Sequence, residues 1–427
     1  MRVLVAACGS RGDFQPMLAL AVELKARGHD VLLAGTPSFA SEAAAFGVAF
    51  SPVGGDVAAL SAELAPRLTS PLRAIATLNS LLREEVRLQL AGFPPLARGR
   101  DVVIAGGAVL GARTAAEAAG AAYRYVLYTA QLLPSAHHPP FMLPLVRPPR
   151  WVNRLAWAVT RAFYERFVGG LLNDARRALG LAVARSPLDH VFDPRTSLLA
   201  SDPEYAPPPP DVAVEPFGAL SLPDERPLSP ELERFFAAGT PPVYAGFGSM
   251  TDVAPAVTTR ALVEGARRAG QRLVLSRGWA NLGEGAAATD VFVTGSLSHR
   301  TLLPRTAAVI HHGGAGTTAA AARAGVPQIV VPHGFDQFVN AERVRASGLA
   351  LVLPRKKLTA PAVAKALEAA LGAGMRDRAR TAGESIRARN AAAAIAAHLE
   401  ELKSCRLMPR QLLTVEGSGR RPPLCAE

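Results

Sequence analysis

HHGGAGTTAAAARAGVPQIVVPHGFDQ, residues 311–337, is the stretch on which the reading of this chain turns. The apolar run AAVI (307–310) leads into two histidines, then Gly313, Gly314 and Gly316, then Thr317 and Thr318, then alanines. That order spells a buried strand, a glycine turn and a helix. Glycines let backbone N–H groups approach a ligand closely, and the helix adds the positive end of its dipole, so the turn suits an anion. Thr317 and Thr318 can cap the helix or donate to a phosphate, and His312 can add a hydrogen bond. A second apolar run, PQIVV (327–331), ends in another polar cluster from His333 to Gln337. Asp336 and Gln337 set a carboxylate beside an amide, a pair able to accept from and donate to neighbouring hydroxyls. A plain capped turn and a solvated helix start remain the alternative readings of these two clusters. G-x-G-x-x-G and the P-loop lysine are both absent, which argues against a nicotinamide dehydrogenase and against an NTPase.

Working outward, the same alternation recurs. PVYAGFGS (242–249), RLVLSRG (272–278) and VFVTG (291–295) read as further strands of the same half, the first of them leading through Ser249 into a helix that passes Ala261. Ser249 follows its strand as His312 follows its own, a second candidate phosphate donor. In the N-terminal half, VLVAA (3–7), HDVLLAG (29–35), DVVIAGG (101–107) and AYRYVLYTA (122–130) read as strands, with a helix from Gln15 to Arg27. Strand and helix in alternation predict parallel sheets covered on both faces, in an α/β fold. At 427 residues the chain is too long for one ordinary core. Prolines accumulate between Ser201 and Pro242, so the composition divides the chain into an N-terminal domain (1–215), a Pro-rich linker (216–241) and a C-terminal domain (242–383). A long helix is expected from Glu384 to about Leu402, within 384–403 and returning to the N-terminal domain, with a disordered tail over 404–427.

Hydrophobic residues make up 49% of the chain and charged residues 19%, a globular balance. Three cysteines, Cys8, Cys405 and Cys425, are too few for a disulfide framework or a metal cluster. No run approaches the roughly 20 apolar residues of a membrane span, and the expected location is cytoplasmic. The net charge of +12 comes from dispersed arginines without interleaved stacking aromatics, which argues against nucleic acid.

In CGSRGDFQPMLALAVELKARGHDV, Asp13 lies between the first strand and its helix, beside Ser10 and Arg11. It either caps that helix or acts as a general base; the residues alone leave both readings open.

These motifs together, HHGGAGTT…GVPQIVVPHGFDQ, the preceding LLPR (302–305) and GSRGDFQPMLALAVELKARGHDV, resemble the bacterial family 1 glycosyltransferases of the GT-B fold that act in antibiotic, sterol and rhamnolipid glycosylation. The resemblance implies two Rossmann-like domains facing a central cleft. It also implies an inverting, metal-independent transfer of a sugar from a UDP- or dTDP-sugar to an acceptor hydroxyl, without a cofactor. By the same resemblance His312, Gly313, Gly314, Gly316, Thr317 and Ser249 match the diphosphate contacts, and Asp336, Gln337 and His333 match the sugar-holding cluster. Asp13 matches the catalytic base. The chain departs from the family pattern at Ser298, where a proline is usual. No aromatic lies in GSLSHR, and Trp279 in SRGW resembles a family segment.

The segment from Ser135 to Leu172 carries Trp151, Leu155, Val159, Phe163, Phe167 and Leu171 at a spacing of four, with Arg150, Arg154 and Arg161 on other faces. It reads either as a helix packed by that stripe on its own domain or as a lid over a lipophilic acceptor, with a peripheral contact to anionic membrane. His137 and His138, like Ser10 and Arg11, are candidate cleft residues. The expected acceptor is a lipophilic small molecule with a hydroxyl: a polyketide, terpenoid, sterol or hydroxy-acyl chain. Two other classes stay open, a non-catalytic glycosyltransferase-like auxiliary protein and a GT-B sugar-nucleotide epimerase.

Overall fold

The computed structural model describes residues 1–55 and 71–407. Two six-stranded sheets organise them. The first comprises β1 (Arg2–Cys8), β2 (Asp30–Gly35), β3 (Ala49–Pro52), β4 (Val102–Gly107), β5 (Ala122–Leu127) and β6 (Ser197–Leu199) in the order β3-β2-β1-β4-β5-β6. The second comprises β7 (Val243–Gly246), β8 (Leu273–Ser276), β9 (Val291–Thr294), β10 (Val309–His311), β11 (Gln328–Val330) and β12 (Ala350–Val352) in the order β12-β11-β10-β7-β8-β9. Counted from its own first strand, each sheet has the order 3-2-1-4-5-6 of a doubly wound nucleotide-binding fold. The pairs from β3 to β5 and all those of the second sheet run parallel. In such sheets the chain winds one way from β1 and the other way from β4, and ligands bind beyond the strand ends where the direction reverses. The glycine turns of this sequence follow those inner strands: β1 and β4 in one sheet, β7 and β10 in the other.

Most strands legible in the sequence are inner and buried; the exception is β9, an edge strand buried only at Val291. Three short strands, β3, β6 and β12, were not anticipated. Two of them, β3 and β12, are partly buried edge strands; β3 lacks the continuous apolar run of a central parallel strand, while β12 lies within the apolar run LALVL (349–353). The first helix begins at Arg11, earlier than Gln15, because Ser10 is its N-cap and Asp13 its third residue, the two forming a capping box.

The chain separates into two compact units, Met1–Leu127 with Ala158–Leu198 and Asn390–Glu427, and Tyr128–Trp157 with Leu199–Arg389. These differ from the boundaries drawn on composition. Leu199–Arg389 and the segment Tyr128–Trp157 belong with the second unit. Part of the Pro-rich linker is a helix, Pro230–Ala237, capped by the Ser229 hydroxyl. It buries Leu232 and Phe236 against Tyr244, Val274 and Leu302 of the second unit.

The expected helix over 384–402 is two helices, Ala373–Arg387 and Ala391–Leu407. The break falls where Asn390 turns its Oδ1 onto the Ala393 N–H and restarts the helix. The second of these helices packs on the helix Arg11–Ala26 of the first unit. Ile395, Ala396 and Leu399 are wholly buried. Glu400 pairs with Arg27 and meets His29, and Lys403 pairs with Asp101. The tail expected to be disordered lies, beyond Leu407, outside the described residues. No helix among the described residues is long and apolar enough to cross a membrane.

Leu399→Ala removes a wholly buried side chain at this junction. It is expected to cost about 2–5 kcal/mol, read as a lower unfolding temperature; an unchanged temperature contradicts the packing described.

Candidate active site

In the first unit, the end of β1 leads through Gly9 and Ser10 into the helix that carries Asp13. Asp13 Oδ2 accepts hydrogen bonds from Ser10 N (2.8 Å) and Ser10 Oγ (2.9 Å). The side chain rests over the ends of β1 and β4. A Cβ on Gly107, whose φ is +73°, would stand 2.5 Å from Asp13 Cβ, and one on Gly9 would stand 2.5 Å from Asp13 Oδ2. Only glycine leaves that room. The floor is fixed from below: the Tyr125 hydroxyl donates to the Gly107 carbonyl. Buried Gln89 accepts from Leu110 N (2.7 Å) and Gly111 N (3.1 Å) and donates to the Ala108 carbonyl (2.9 Å) and to Glu85 (2.8 Å). Nothing in the local sequence around Asp13 announces Gln89, which comes from a helix many residues away.

Burial raises the Asp13 pKa above the ordinary aspartate value, and the two hydrogen bonds from Ser10 pull it partly back. Desolvation makes the carboxylate a stronger base than an exposed one. Cys8, on the adjoining strand, is buried, bonded through Sγ to the Val53 carbonyl (3.6 Å), and its thiol is pushed well up by burial and by Glu85. It is a packing residue. Arg11 pairs with Glu42 (3.2 Å).

In the second unit, β10 ends in His311. Its Nδ1 accepts from Gly313 N (3.1 Å), so Nε2 carries the proton and donates to Gln328 Oε1 (2.9 Å). Burial holds its pKa down to about 4. A neutral His311 therefore folds the turn, a role the sequence did not single out. His312 follows, buried, with Nδ1 lacking any partner. Burial first, then the neighbouring His311, His333 and His299, lower its pKa to about 3, so the ring is neutral at physiological pH. It packs between Gly248 and Gly314. A Cβ on Gly314 would stand 2.5 Å from His312 Nε2, although the backbone there, at φ −61°, suits any residue.

Gly314 is also the N-cap of the helix Ala315–Ala324 and gives it no side-chain cap. The first N–H groups of a helix have no intrahelical partner, so Ala315, Gly316 and Thr317 present donors beside His312. Thr318, rather than Thr317, is the buried threonine, and its hydroxyl has no partner. Ser249 lies half-buried after β7, next to Gly248 with φ +58°.

The second polar cluster is tied to the first by Asn340, another residue unmarked in the sequence. Its Nδ2 donates to the Gly313 carbonyl (3.1 Å) and to Asp336 Oδ2 (2.7 Å). Asp336, half-buried, precedes the helix Gln337–Ala346 without capping it by its side chain. Gln337 is only 3% exposed. Its Oε1 accepts from His333 N (2.8 Å) and Gly334 N (3.2 Å), and Nε2 reaches Met250 Sδ (3.2 Å). The amide thus shapes its own loop instead of facing solvent. His333 donates through Nδ1 to the Val331 carbonyl (2.7 Å), stacks on Phe247 at 4.7 Å, and keeps a buried Nε2 without a partner. Met250 and the Asp252–Arg355 ion pair (2.7 Å) brace the loop that holds Ser249.

The remaining candidates separate. His137 is exposed, while His138 is buried, edge-on to Trp157, with its pKa lowered to about 4 by burial and then by Arg343. His138 is a core residue of the second unit. Ser298 caps the short helix His299–Leu302 and donates to the Asp224 carbonyl (2.7 Å). Trp279 is exposed, and its backbone N–H donates to the Gly248 carbonyl (3.0 Å).

A parallel sheet whose reversal point holds an uncapped helix start and a neutral histidine suits an anionic ligand. Comparison with known proteins agrees. Residues 3–132 match the glycosyltransferase family 28 N-terminal domain, and residues 285–402 match the erythromycin biosynthesis protein CIII-like C-terminal domain. Glycosyltransferase GtfE of Amycolatopsis orientalis is 39% identical, covering 92% of this chain and 96% of its own. Vancomycin aglycone glucosyltransferase of the same organism is 38% identical over the same shares. The solved structure of glycosyltransferase VinC in complex with dTDP superposes with a TM-score of 0.68 at 21% identity, covering 95% of this chain and all of that one. The chain belongs to the antibiotic-type glycosyltransferases of the GT-B fold.

Ser10→Ala deletes a donor to the charged form of Asp13 and leaves the backbone donor, so the Asp13 pKa should rise further. Carbon-13 titration of the carboxyl measures it, and a fall or no change contradicts the assignment.

Proposed function

We propose that the chain moves a hexose or deoxyhexose from a UDP- or dTDP-sugar to a hydroxyl of a lipophilic small-molecule acceptor, inverting the anomeric centre, with Asp13 as general base. The observation that carries this reading is the desolvated Asp13 carboxylate, held at the reversal point of its sheet by two glycines and Ser10. A relative named for its action on vancomycin aglycone and a neighbour solved in complex with dTDP support a natural-product acceptor and a nucleotide donor.

In this reaction Asp13 takes the proton of the acceptor hydroxyl as its oxygen attacks the anomeric carbon. The bond from that carbon to the diphosphate breaks on the opposite side, which inverts the centre. The nucleoside diphosphate leaves with the electron pair and with added negative charge. Amides of residues 315–317, the helix dipole, the His312 ring and Ser249 stabilise that charge. A neutral imidazole suits this, since it donates one hydrogen bond without competing for the proton Asp13 removes. Asp336 accepts from sugar hydroxyls, in a loop shaped by Gln337 and His333. The protein's own donors neutralise the diphosphate, so the reading needs no metal.

General bases contribute about 10²–10⁴ in rate. Asp13→Asn is expected to lose about that much turnover. Because the folded pKa of Asp13 is raised, its stability contribution is present at low pH and lost as pH rises through that value. At pH 7 the charged, desolvated carboxylate is therefore a cost, and the Asn variant should unfold no earlier than the parent. Near-normal turnover dismisses Asp13 as the base.

Gly314→Ala drives a methyl group against His312 at a backbone angle alanine accepts. Losing one hydrogen bond to a charged group costs about 1.5–3 kcal/mol, so nucleoside diphosphate should bind about ten- to a hundredfold more weakly by calorimetry. Excess EDTA should leave turnover unchanged; inactivation reversed by a divalent cation contradicts the metal-free reading.

A further inference from the structure

The helix Arg150–Tyr164 is apolar on two opposite sides. Its inner side packs Asn153, Trp157 and Tyr164, all buried. At 3.6 residues per turn, Trp151, Leu155 and Val159 fall about 180° away, and they are 66%, 57% and 62% exposed. The reading that this stripe packs on its own domain is therefore corrected: the helix packs by the other side. Exposure ends after Val159: Phe163, still in the same helix, is half-buried, and the π-helical turn Glu165–Gly169 shifts the register beyond it. Phe163 and Phe167 stack on each other at 4.6 Å and are half-buried.

Three further exposed apolar side chains, Met142, Leu145 and Val146, precede the helix in the same unit as Trp151 and Leu155. The stripe is convex, formed by side chains standing off one helix, whereas a small-molecule site needs a concavity that buries most of its ligand. A covering surface that is itself broad fits it better.

Charge says which surface. Between Glu117 and Glu165 the sequence contains no aspartate or glutamate, while Arg124, Arg147, Arg150, Arg154 and Arg161 all fall within it. Arg161 is held by Asp189 and Arg147 by Glu342. Arg150 and Arg154 flank the stripe, exposed, and no carboxylate pairs with them among the described residues. A second copy would bring the same arginine row against itself, on a chain of net charge +12. An apolar stripe with tryptophan at one end and arginines along its flank is the composition of a helix lying in the plane of an anionic bilayer.

We propose that the outward face of the helix Arg150–Tyr164 rests on an anionic lipid surface, with Trp151, Leu155 and Val159 entering the headgroup boundary and Arg150 and Arg154 meeting lipid phosphates. This contact is independent of the transfer chemistry and is tested without substrate. The full chain is sedimented with vesicles of phosphatidylcholine alone, and with vesicles of phosphatidylcholine and phosphatidylglycerol in equal parts.

The account predicts binding to the anionic vesicles, little to the neutral ones, and weakening as salt rises. Each surface arginine contributes about 1 kcal/mol on an anionic membrane, so Arg150→Gln with Arg154→Gln should lower the partition coefficient about thirtyfold. Trp151→Ser with Leu155→Ser should reduce binding to the level of neutral vesicles. All four side chains are exposed, so unfolding temperature and nucleotide-induced stabilisation should match the parent. Absence of binding to anionic vesicles overturns the proposal. So does binding that the serine variant retains, or a concentration-dependent dimer that this variant abolishes in place of vesicle binding.

Discussion

Everything distinctive about this protein follows from what happens where a doubly wound sheet reverses direction. Adjacent inner strands send their chains to opposite faces there, which leaves a gap beyond their carboxyl ends. The chain furnishes that gap twice, in opposite chemical senses. In the first sheet it holds a carboxylate against two glycines and partly dries it. In the second it withholds a side-chain cap from a helix and seats a neutral histidine beside the unfilled amides. One gap carries a carboxylate whose pKa burial has raised, and the other a set of uncapped amides beside a neutral ring.

Both arrangements cost stability to maintain. Asp13 is desolvated against its ionised form, with the Ser10 hydrogen bonds only partly offsetting the burial. His312 Nδ1, His333 Nε2 and the Thr318 hydroxyl are buried without partners around the glycine turn, and each unmet group carries a penalty of about 1–3 kcal/mol. A family of residues beneath them supplies rigidity: Gln89 and Tyr125 under Asp13, His311 and Gln328 under the turn, Asn340 and Gln337 between the two polar clusters. That division, unmet polar groups above and bonded side chains below, with only the Gln328 Nε2 among them left without a partner, is how a pre-organised site is held in place.

The inner strands and the turns after them were legible in the sequence because burial on both faces writes a continuous apolar run, and because glycine and histidine punctuate it. Asp13, His312 and Asp336 could be singled out on that basis. The supporting residues could not. Gln89 and Asn340 look like ordinary helix-surface amides until tertiary contact turns them inward, and Gln337 exchanged an anticipated outward role for bonds to its own loop. Short edge strands such as β3 carry no periodic signal. The helix at Arg150–Tyr164 misled in a different way: its four-residue stripe was visible, but sequence spacing says nothing about which of two apolar sides meets the protein.

The central claim is that a neutral His312 donates to the diphosphate of the donor while His311 only builds the turn. Nitrogen-15 spectra of histidine-labelled protein, recorded with and without a nucleoside diphosphate at pH 7, test it directly. The account predicts that the His312 ring stays neutral and that its protonated nitrogen shifts on binding, while the His311 signals hold still. Unmoved His312 resonances at saturating nucleotide would contradict it.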